Sequence, residues 1–398
     1  MSSPTSRFPF ALITVALVAT GLATVAAVTL RAQDGVFRSA EHDYRVVTVV
    51  EGLEHPWAIA FLPDGDMLVT ERPGRLRIVR DGALLPDPVP GLPAIRVGGQ
   101  GGLLDVVPHP DFASNRLVYL SYSKPNEDGS EGTTAVARAR FEDDQLSDLE
   151  EIFEAVAWTE GRGHHGSRLA FDRDGYLFIT IGDRQARPAG DLEAHPAQDL
   201  TDHYGTTLRL HDDGRVPSDN PFVGRDDALP EIWSYGHRNA QGMAVHPETN
   251  QVWQNEHGPQ GGDELNLIRS GVNYGWPVIG HGVHYRSGET IHEATRREGM
   301  EEPVHFWTPS IATSGMLIYT GDAFPRWQGD FFIGGLAGEQ LARLTMDGDR
   351  VMNEETLVRR MGRIRDVRQG PDGFIYLAID HRGGDLTPIV RLEPAGDR

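Results

Sequence analysis

One short pattern recurs six times along this chain and restricts its fold more than any other feature. Each copy is an apolar run, a tight turn usually built on Asp-Gly or Pro-Asp, and a second apolar run. The first copy is residues 57–61, the turn Pro63-Asp64-Gly65 and residues 67–70, with a further strand at 76–79 after Pro73-Gly74. The second is 103–107, Pro110-Asp111 and 117–122; the third is 167–171, Asp174-Gly175 and 176–181. The fourth is 242–245, a turn from Pro247 to Asn250, and 252–253. The fifth is looser, with 315–319, an interruption at Phe324-Pro325, then 331–333 and 341–344. The sixth is 364–367, Pro371-Asp372-Gly373, 374–378 and 389–392. These spacings are those of β-hairpins, and no amphipathic helix of ordinary length competes with them. The 46 glycines and 26 prolines supply the turns that such a chain needs.

Six hairpin-centred units predict an all-β repeat architecture, a six-bladed β-propeller. A blade cannot bury both faces alone, so all six belong to one domain, placed at residues 40–396. Insertions near 124–134, 184–230 and 278–310 are expected to crowd one rim and shape a pocket. The segment 183–230, rich in Asp, His, Pro and Gly, reads as irregular loop. The stretch 232–277 reads as two strands whose connecting loops gather His237-Arg238-Asn239, Asn255-Glu256-His257-Gly258-Pro259, Asp263-Glu264 and Asn273-Tyr274-Gly275.

Charge and cysteine content narrow the function. Acids outnumber bases 58 to 37, for a net charge of −21, so neither nucleic acid nor an anionic membrane surface suits the body of the protein. The absence of cysteine excludes disulfides, thiolate metal sites, cysteine nucleophiles, attached c-type haem and a lipoprotein anchor. Arg7 precedes an apolar run over 8–30, with no acid before Asp34. Residues 1–33 therefore read as an N-terminal signal cleaved near 27–33, or as a membrane anchor, since the run is about long enough to span a bilayer. Either way the protein is expected to be exported, touching a membrane only through an uncleaved leader.

Several polar clusters carry chemistry. Gly161-Arg162-Gly163-His164-His165-Gly166 places two histidines before a strand, and a neutral imidazole is a natural general base. Side chains on an extended chain alternate, so one of the two faces a pocket. Gly98-Gly99-Gln100-Gly101-Gly102 allows close backbone approach to a ligand, with Gln100 offering donor and acceptor. Arg363-Ile364-Arg365 puts two guanidiniums on one strand face, suited to carboxylates. Arg238-Asn239 offers a fixed cation and an amide, the cation placed to polarise a carbonyl. Gly258 and Pro259 carbonyls with Glu264 and Tyr274 give oxygen donors that suit Ca²⁺ and not zinc. Each cluster also has a purely structural reading as a satisfied loop, a tight connection or a solvated edge.

Taken together and in order, GGQGGL, GHHGSRL with FDRDGYLFITIGD, YGHRNAQGMA, NEHGPQGGDELNLI, NYGWP and RIRDVRQGPDG strongly resemble the PQQ-dependent soluble aldose sugar dehydrogenases, the glucose/sorbosone dehydrogenase family. The resemblance spans about 53–392. It implies a periplasmic six-bladed propeller with pyrroloquinoline quinone (PQQ) and Ca²⁺ at the top of its axis. By motif, His164 is the implied general base. Gln100, Arg238 and Asn239 contact the quinone, and Arg363 and Arg365 hold its carboxylates. Tyr285 borders it, as does the blade loop Gly335-Leu336-Ala337-Gly338. Gly258 and Pro259 bind the PQQ calcium through their carbonyls, and Glu264 and Tyr274 match a second calcium. Where this chain has Ala337, relatives often carry lysine; either PQQ binds more weakly or another base, Arg326 or Arg343, compensates.

The implied reaction takes the anomeric proton of an aldose onto His164 and the C1 hydride onto PQQ. Arg238 and Ca²⁺ stabilise the growing charge, the product is a lactone, and electrons leave to an external acceptor. Two alternatives stand beside it: a Ca²⁺-dependent lactonase-like propeller hydrolase, which has no need of arginines aimed at a tricarboxylate, and a non-catalytic binding propeller.

Overall fold

In the computed structural model the described residues are Met1 and 35–396. The leader reading of 1–33 falls on residues outside that set, Met1 apart. Five sheets hold four strands each and the sixth holds five, every pairing between strands antiparallel. The first blade is Pro56–Phe61, Met67–Glu71, Arg75–Arg80 and Ala83–Leu84, and the second Leu103–Pro108, Leu117–Pro125, Gly132–Glu142 and Gln145–Glu154. The third is Gly166–Phe171, Leu177–Ile181, Thr206–Leu210 and Ile232–Tyr235; the fourth is Ala240–Val245, Val252–Glu256, Asp263–Ile268 and His305–Trp307. The fifth is Thr313–Ile318, Phe331–Gly335, Gln340–Asp347 and Arg350–Leu357.

The sixth blade closes the ring with residues from both ends of the described chain. Arg363–Gln369, Ile375–Asp380 and Thr387–Pro394 are completed by Asp43–Leu53, which pairs along Thr387–Pro394, and by Phe37–Arg38 at the edge. The first strands of the blades touch one another in sequence, and the sixth touches the first. That closed ring is the six-bladed propeller that the hairpin pattern predicts.

Burial explains why the second run of each unit was so legible. Met67–Glu71, Leu177–Ile181, Val252–Glu256, Phe331–Gly335 and Ile375–Asp380 are buried at every position, because the neighbouring blades cover both faces. Such strands read as continuous apolar runs instead of alternating ones. The outer strands Gln145–Glu154 and Arg350–Leu357 are largely exposed and polar. Blades are also joined by hydroxyls on inner strands: Thr70 Oγ1 donates to Leu104 O at 2.5 Å, Ser121 Oγ to Ser167 O at 2.6 Å, Thr180 Oγ1 to Ala240 O at 2.9 Å, and Ser314 Oγ to Ile364 O at 2.6 Å.

Three expectations need correction. The segment 183–230 is not loop throughout. Thr206–Leu210 is buried at every position and pairs with Leu177–Ile181, so it is the third strand of its blade. Its Thr-Thr-Leu-Arg-Leu composition is strand-like, but the long polar stretches on either side hid it. Likewise 124–134 is mostly strand, with only 126–131 left as a hairpin connection between Leu117–Pro125 and Gly132–Glu142. The stretch 232–277 holds four strands and not two.

The remaining feature bears directly on the site. Every innermost strand has a register shift near its start: between Pro56 and Ala58, Leu103 and Val106, Gly166 and Leu169, Ala240 and Gly242, Thr313 and Met316, and Ile364 and Asp366. A bulge bends and twists its strand locally and re-aims the extra residue. The candidate residues at 166–168, 240–242 and 363–366 all sit at such bulges.

Candidate active site

His164 ends the loop before the strand Gly166–Phe171. Its φ of +45° turns the backbone out of the extended form. A Cβ on Gly182 would lie 2.2 Å from the His164 carbonyl oxygen, so only glycine lets the two segments touch. That contact brings His164 beside Asp183. His164 Nδ1 donates to Asp183 Oδ1 at 2.6 Å, and Asp183 Oδ2 accepts from Trp276 Nε1 at 2.9 Å. Asp183 is 1% exposed and His164 7%. The carboxyl is held below its ordinary range: burial works against this, but His164 and Arg238 outweigh it. Burial depresses the His164 imidazole, Asp183 opposes the shift and Arg238 adds to it. The imidazole is thus neutral near pH 7, its Nδ1 proton fixed by Asp183 and its Nε2 left as the base.

His165 faces away from the hollow, as expected, although the positive φ of His164 and not an extended chain separates the two rings. It is buried at 2%, with Nδ1 3.5 Å from Thr134 Oγ1, and burial with Arg184 nearby pushes its basicity well below the ordinary imidazole value.

Two adjoining hollows, about 220 and 670 Å³ and both open to solvent, receive half of the remaining candidates, and Asn239 and Arg365 line neither. The first is lined by His164, Asp183, Arg187, Arg238 and Trp276; the second by Gln100, His257, Leu336, Ala337, Arg363 and Arg382. Pro259 and Tyr285 line both, and Tyr285 is 67% exposed at the mouth. The volumes suit a small-molecule cofactor with a sugar beside it. Gln100 Oε1 accepts from His164 N at 2.8 Å, tying the glycine-rich loop to the base. Asn239 Oδ1 accepts from Gly166 N at 3.0 Å, while Asn239 Nδ2, Arg238 Nε and His257 Nε2 are buried without a protein partner among the described residues. Orphaned buried donors of this kind are rare unless a ligand completes them.

Arg363 and Arg365 converge, but not by the alternation expected. Arg365 is the extra residue of the bulge between Ile364 and Asp366. Arg363 lines the mouth, its Nε 3.3 Å from Asp380 Oδ2. Arg365 lies deeper, 8% exposed, and donates to Gln241 Oε1 at 2.6 Å. Its guanidinium is brought down to about 9 by burial, against Asp380, with Arg363, Arg72 and Arg168 adding to the shift. His257 is depressed by burial and by Arg365 and Arg238. In a protein of net charge −21, the two hollows are lined by Arg187, Arg238, Arg363 and Arg382 against a single carboxylate, Asp183.

The blade loop divides. Leu336 and Ala337 line the second hollow, while Gly335 and Gly338 only complete the turn. The backbone amides of Leu336, Ala337 and Gly338 are spent on Ala312 O and Ile311 O. Neither expected compensating base comes near. Arg343 is 2% exposed and bound to Asp330, Glu355 and Glu41, and Arg326 donates to Glu41 O; neither lines either hollow.

A tighter cavity beneath Pro259 is lined by Glu256, Gly258, Glu264, Tyr274 and Trp276. Burial and the neighbouring Glu256 raise the Glu264 carboxyl well above its usual range, as two acids sharing a buried space must. Two expected ligands already make hydrogen bonds. Gly258 O accepts from Arg238 Nη1 at 2.7 Å, and the Tyr274 hydroxyl donates to Leu267 O at 2.5 Å, which leaves Tyr274 only its carbonyl. Among the described residues, no group of three or more His, Cys, Asp or Glu converges on a metal position.

Sequence reasoning gave no role to Asp183, Trp276 or Arg382, and named His257 only within a polar cluster. Asp183 lay within a quoted motif, but nothing marked it as the partner of His164.

The family described as glucose/sorbosone dehydrogenase matches residues 53–388. The chain is 45% identical to the aldose sugar dehydrogenase YliI of Escherichia coli over 86% of this chain and 92% of that one. It is 25% identical to the quinoprotein glucose dehydrogenase B of Acinetobacter calcoaceticus, over 88% and 87%. The solved PQQ-bound aldose sugar dehydrogenase of Streptomyces coelicolor superposes with a TM-score of 0.71 at 29% identity, over 88% of this chain and 98% of that one. With a propeller mouth that sets a carboxylate-held imidazole beside clustered arginines, this chain belongs to the glucose/sorbosone dehydrogenase family.

Proposed function

We propose that this protein is a periplasmic oxidoreductase that oxidises the anomeric hydroxyl of aldoses to lactones with PQQ as its cofactor and Ca²⁺ beside it. The observation that carries the reading is the surplus of guanidiniums over carboxylates lining the paired hollows, next to a neutral imidazole. An acidic, planar cofactor fits that surplus. Arg363 and Arg365 would hold its carboxylates, and Asn239 Nδ2 and Arg238 Nε, both lacking protein partners among the described residues, would serve its polar edge. PQQ, when bound, supplies the two-electron acceptor that no protein side chain provides.

The rest is the work of the chain. His164 Nε2 takes the proton of the anomeric hydroxyl, and Asp183 stabilises the imidazolium that results. Arg238 presents a fixed positive charge to an oxygen that becomes negative. Trp276 holds the Asp183 carboxylate in register through its indole N–H. A cation near Pro259 would relieve the raised Glu264 carboxyl, and Gly258 O, which accepts one hydrogen bond from Arg238, keeps a second lone pair for it. The apolar run at 8–30 supports export, and the electrons leave to an external acceptor.

Reconstitution tests this directly. Apoprotein given PQQ and Ca²⁺ should oxidise aldoses with an artificial acceptor dye, and a chelator added during reconstitution should suppress the gain. Folded protein that stays silent across a broad sugar panel would sink the proposal and favour the binding-propeller alternative.

A second test uses pH. Because the imidazole is depressed, its neutral form persists below the ordinary value of about 6.5, so the acid limb of kcat should lie below that pH. Asp183 favours the imidazolium, so Asp183→Asn should move the limb to still lower pH while lowering kcat roughly ten- to a hundredfold. A limb that moves upward would mean that another group is titrating.

A further inference from the structure

The second hollow has an unassigned cation. Arg382 lines it together with Gln100, Ala337 and Arg363. Three neighbouring guanidiniums are committed, Arg363 to Asp380 and to Leu336 O, Arg365 to Gln241, Arg238 to the His257 and Gly258 carbonyls, and Arg187, uncommitted among the described residues, lines the first hollow and not this one. Arg382 has no ion pair or side-chain hydrogen bond among the described residues, although its loop is anchored. His381 Nδ1 sits 3.1 Å from Asp385 Oδ2, and Asp380, two residues before, is held by His55 at 2.7 Å. Nor can lysine serve. The chain has a single one, Lys124, bound to Glu151 and Glu154 on the second blade.

We propose that Arg382 is a cofactor-binding residue that closes over a carboxylate of PQQ, supplying from the sixth-blade loop the third cation that Ala337 does not. The proposal rests on the PQQ reading above. An arginine fork pairs with a carboxylate through two N–H donors and keeps its charge at any relevant pH. Because Arg382 is exposed and must be ordered on binding, its contribution is modest and sensitive to salt.

Equilibrium titration of apoprotein with PQQ at fixed Ca²⁺, followed by quenching of tryptophan fluorescence, gives the test without turnover. Arg382→Ala should weaken PQQ binding roughly three- to tenfold at low salt, and the gap should narrow at about 0.5 M salt as screening removes the pair. Arg382→Lys should recover much of the loss, as should Ala337→Lys placed in the Arg382→Ala background. Arg326→Ala, remote from the hollow, should bind as the unaltered protein does. Unchanged binding in Arg382→Ala at low salt overturns the proposal, as does a loss that neither salt nor Arg382→Lys alters. Failure of the unaltered protein to bind PQQ at all would remove the cofactor reading and this inference with it, an outcome distinct from the other two.

Discussion

Replacing His164 with alanine should reduce kcat for sugar oxidation by roughly 10²- to 10⁴-fold while PQQ affinity changes less than about threefold. The split follows from where the imidazole sits. It lines the hollow shared with Arg238 and Trp276, whereas Arg363, Gln100, Leu336 and Ala337 border the neighbouring one. Removing the ring deletes the acceptor for the anomeric proton and leaves the guanidiniums untouched. Because His164 and Asp183 act as a unit, adding Asp183→Asn to His164→Ala should cost little more than His164→Ala alone. His165→Ala is the control. That ring is buried between Thr134 and Gly101, so its loss should lower stability and leave kcat within an order of magnitude. Matched losses of kcat in the two single variants would assign the proton to the wrong imidazole.

How much of this was written legibly in the chain differs between fold and site. The hairpins were readable because each blade's second strand is sandwiched between neighbours and must be apolar throughout; 67–70 and 374–378 announce themselves. Thr206–Leu210 obeys the same rule, but five residues between long polar loops fall below what periodicity can detect. The bulges are a different matter. They arise because six strands must converge on one axis, a condition that no local window contains. Alternation thus gave the right outcome for His164 and His165 by a backbone that is not extended, and was a poor guide for Arg363 and Arg365, where an extra residue intervenes. Asp183 and Trp276, 93 residues apart, meet only through folding. Arg382 looks like any exposed arginine in a glycine-rich turn until the hollow beside it is seen.

The largest stability effect should come from below the site. Arg168 lies on the axis, 1% exposed at its side chain, and joins four other blades. Its Nη1 is 3.2 Å from Asp105 Oδ1 of the second blade and 3.1 Å from Asp366 Oδ1 of the sixth. Its Nε donates to Gln241 O of the fourth at 2.8 Å, and the guanidinium lies over the Trp57 ring of the first, 4.3 Å from its centre. The two carboxylates in turn accept backbone N–H groups of neighbouring blades, Leu169 N on Asp105 and Ile59 N on Asp366. Arg168→Ala strands both acids in the interior with Arg368 as their remaining close cation, at a cost of about 3–5 kcal/mol near neutral pH. Burial already raises the Asp105 carboxyl against the pull of Arg168 and Arg368, and losing Arg168 raises it further. An acid whose folded pKa exceeds its unfolded value destabilises the fold where it must ionise, so the deficit should shrink as pH falls through the raised value. Chemical denaturation of apoprotein at neutral and mildly acidic pH measures both effects. A loss under about 1 kcal/mol, or one that grows on acidification, would show that the blades do not depend on this guanidinium as their common hub.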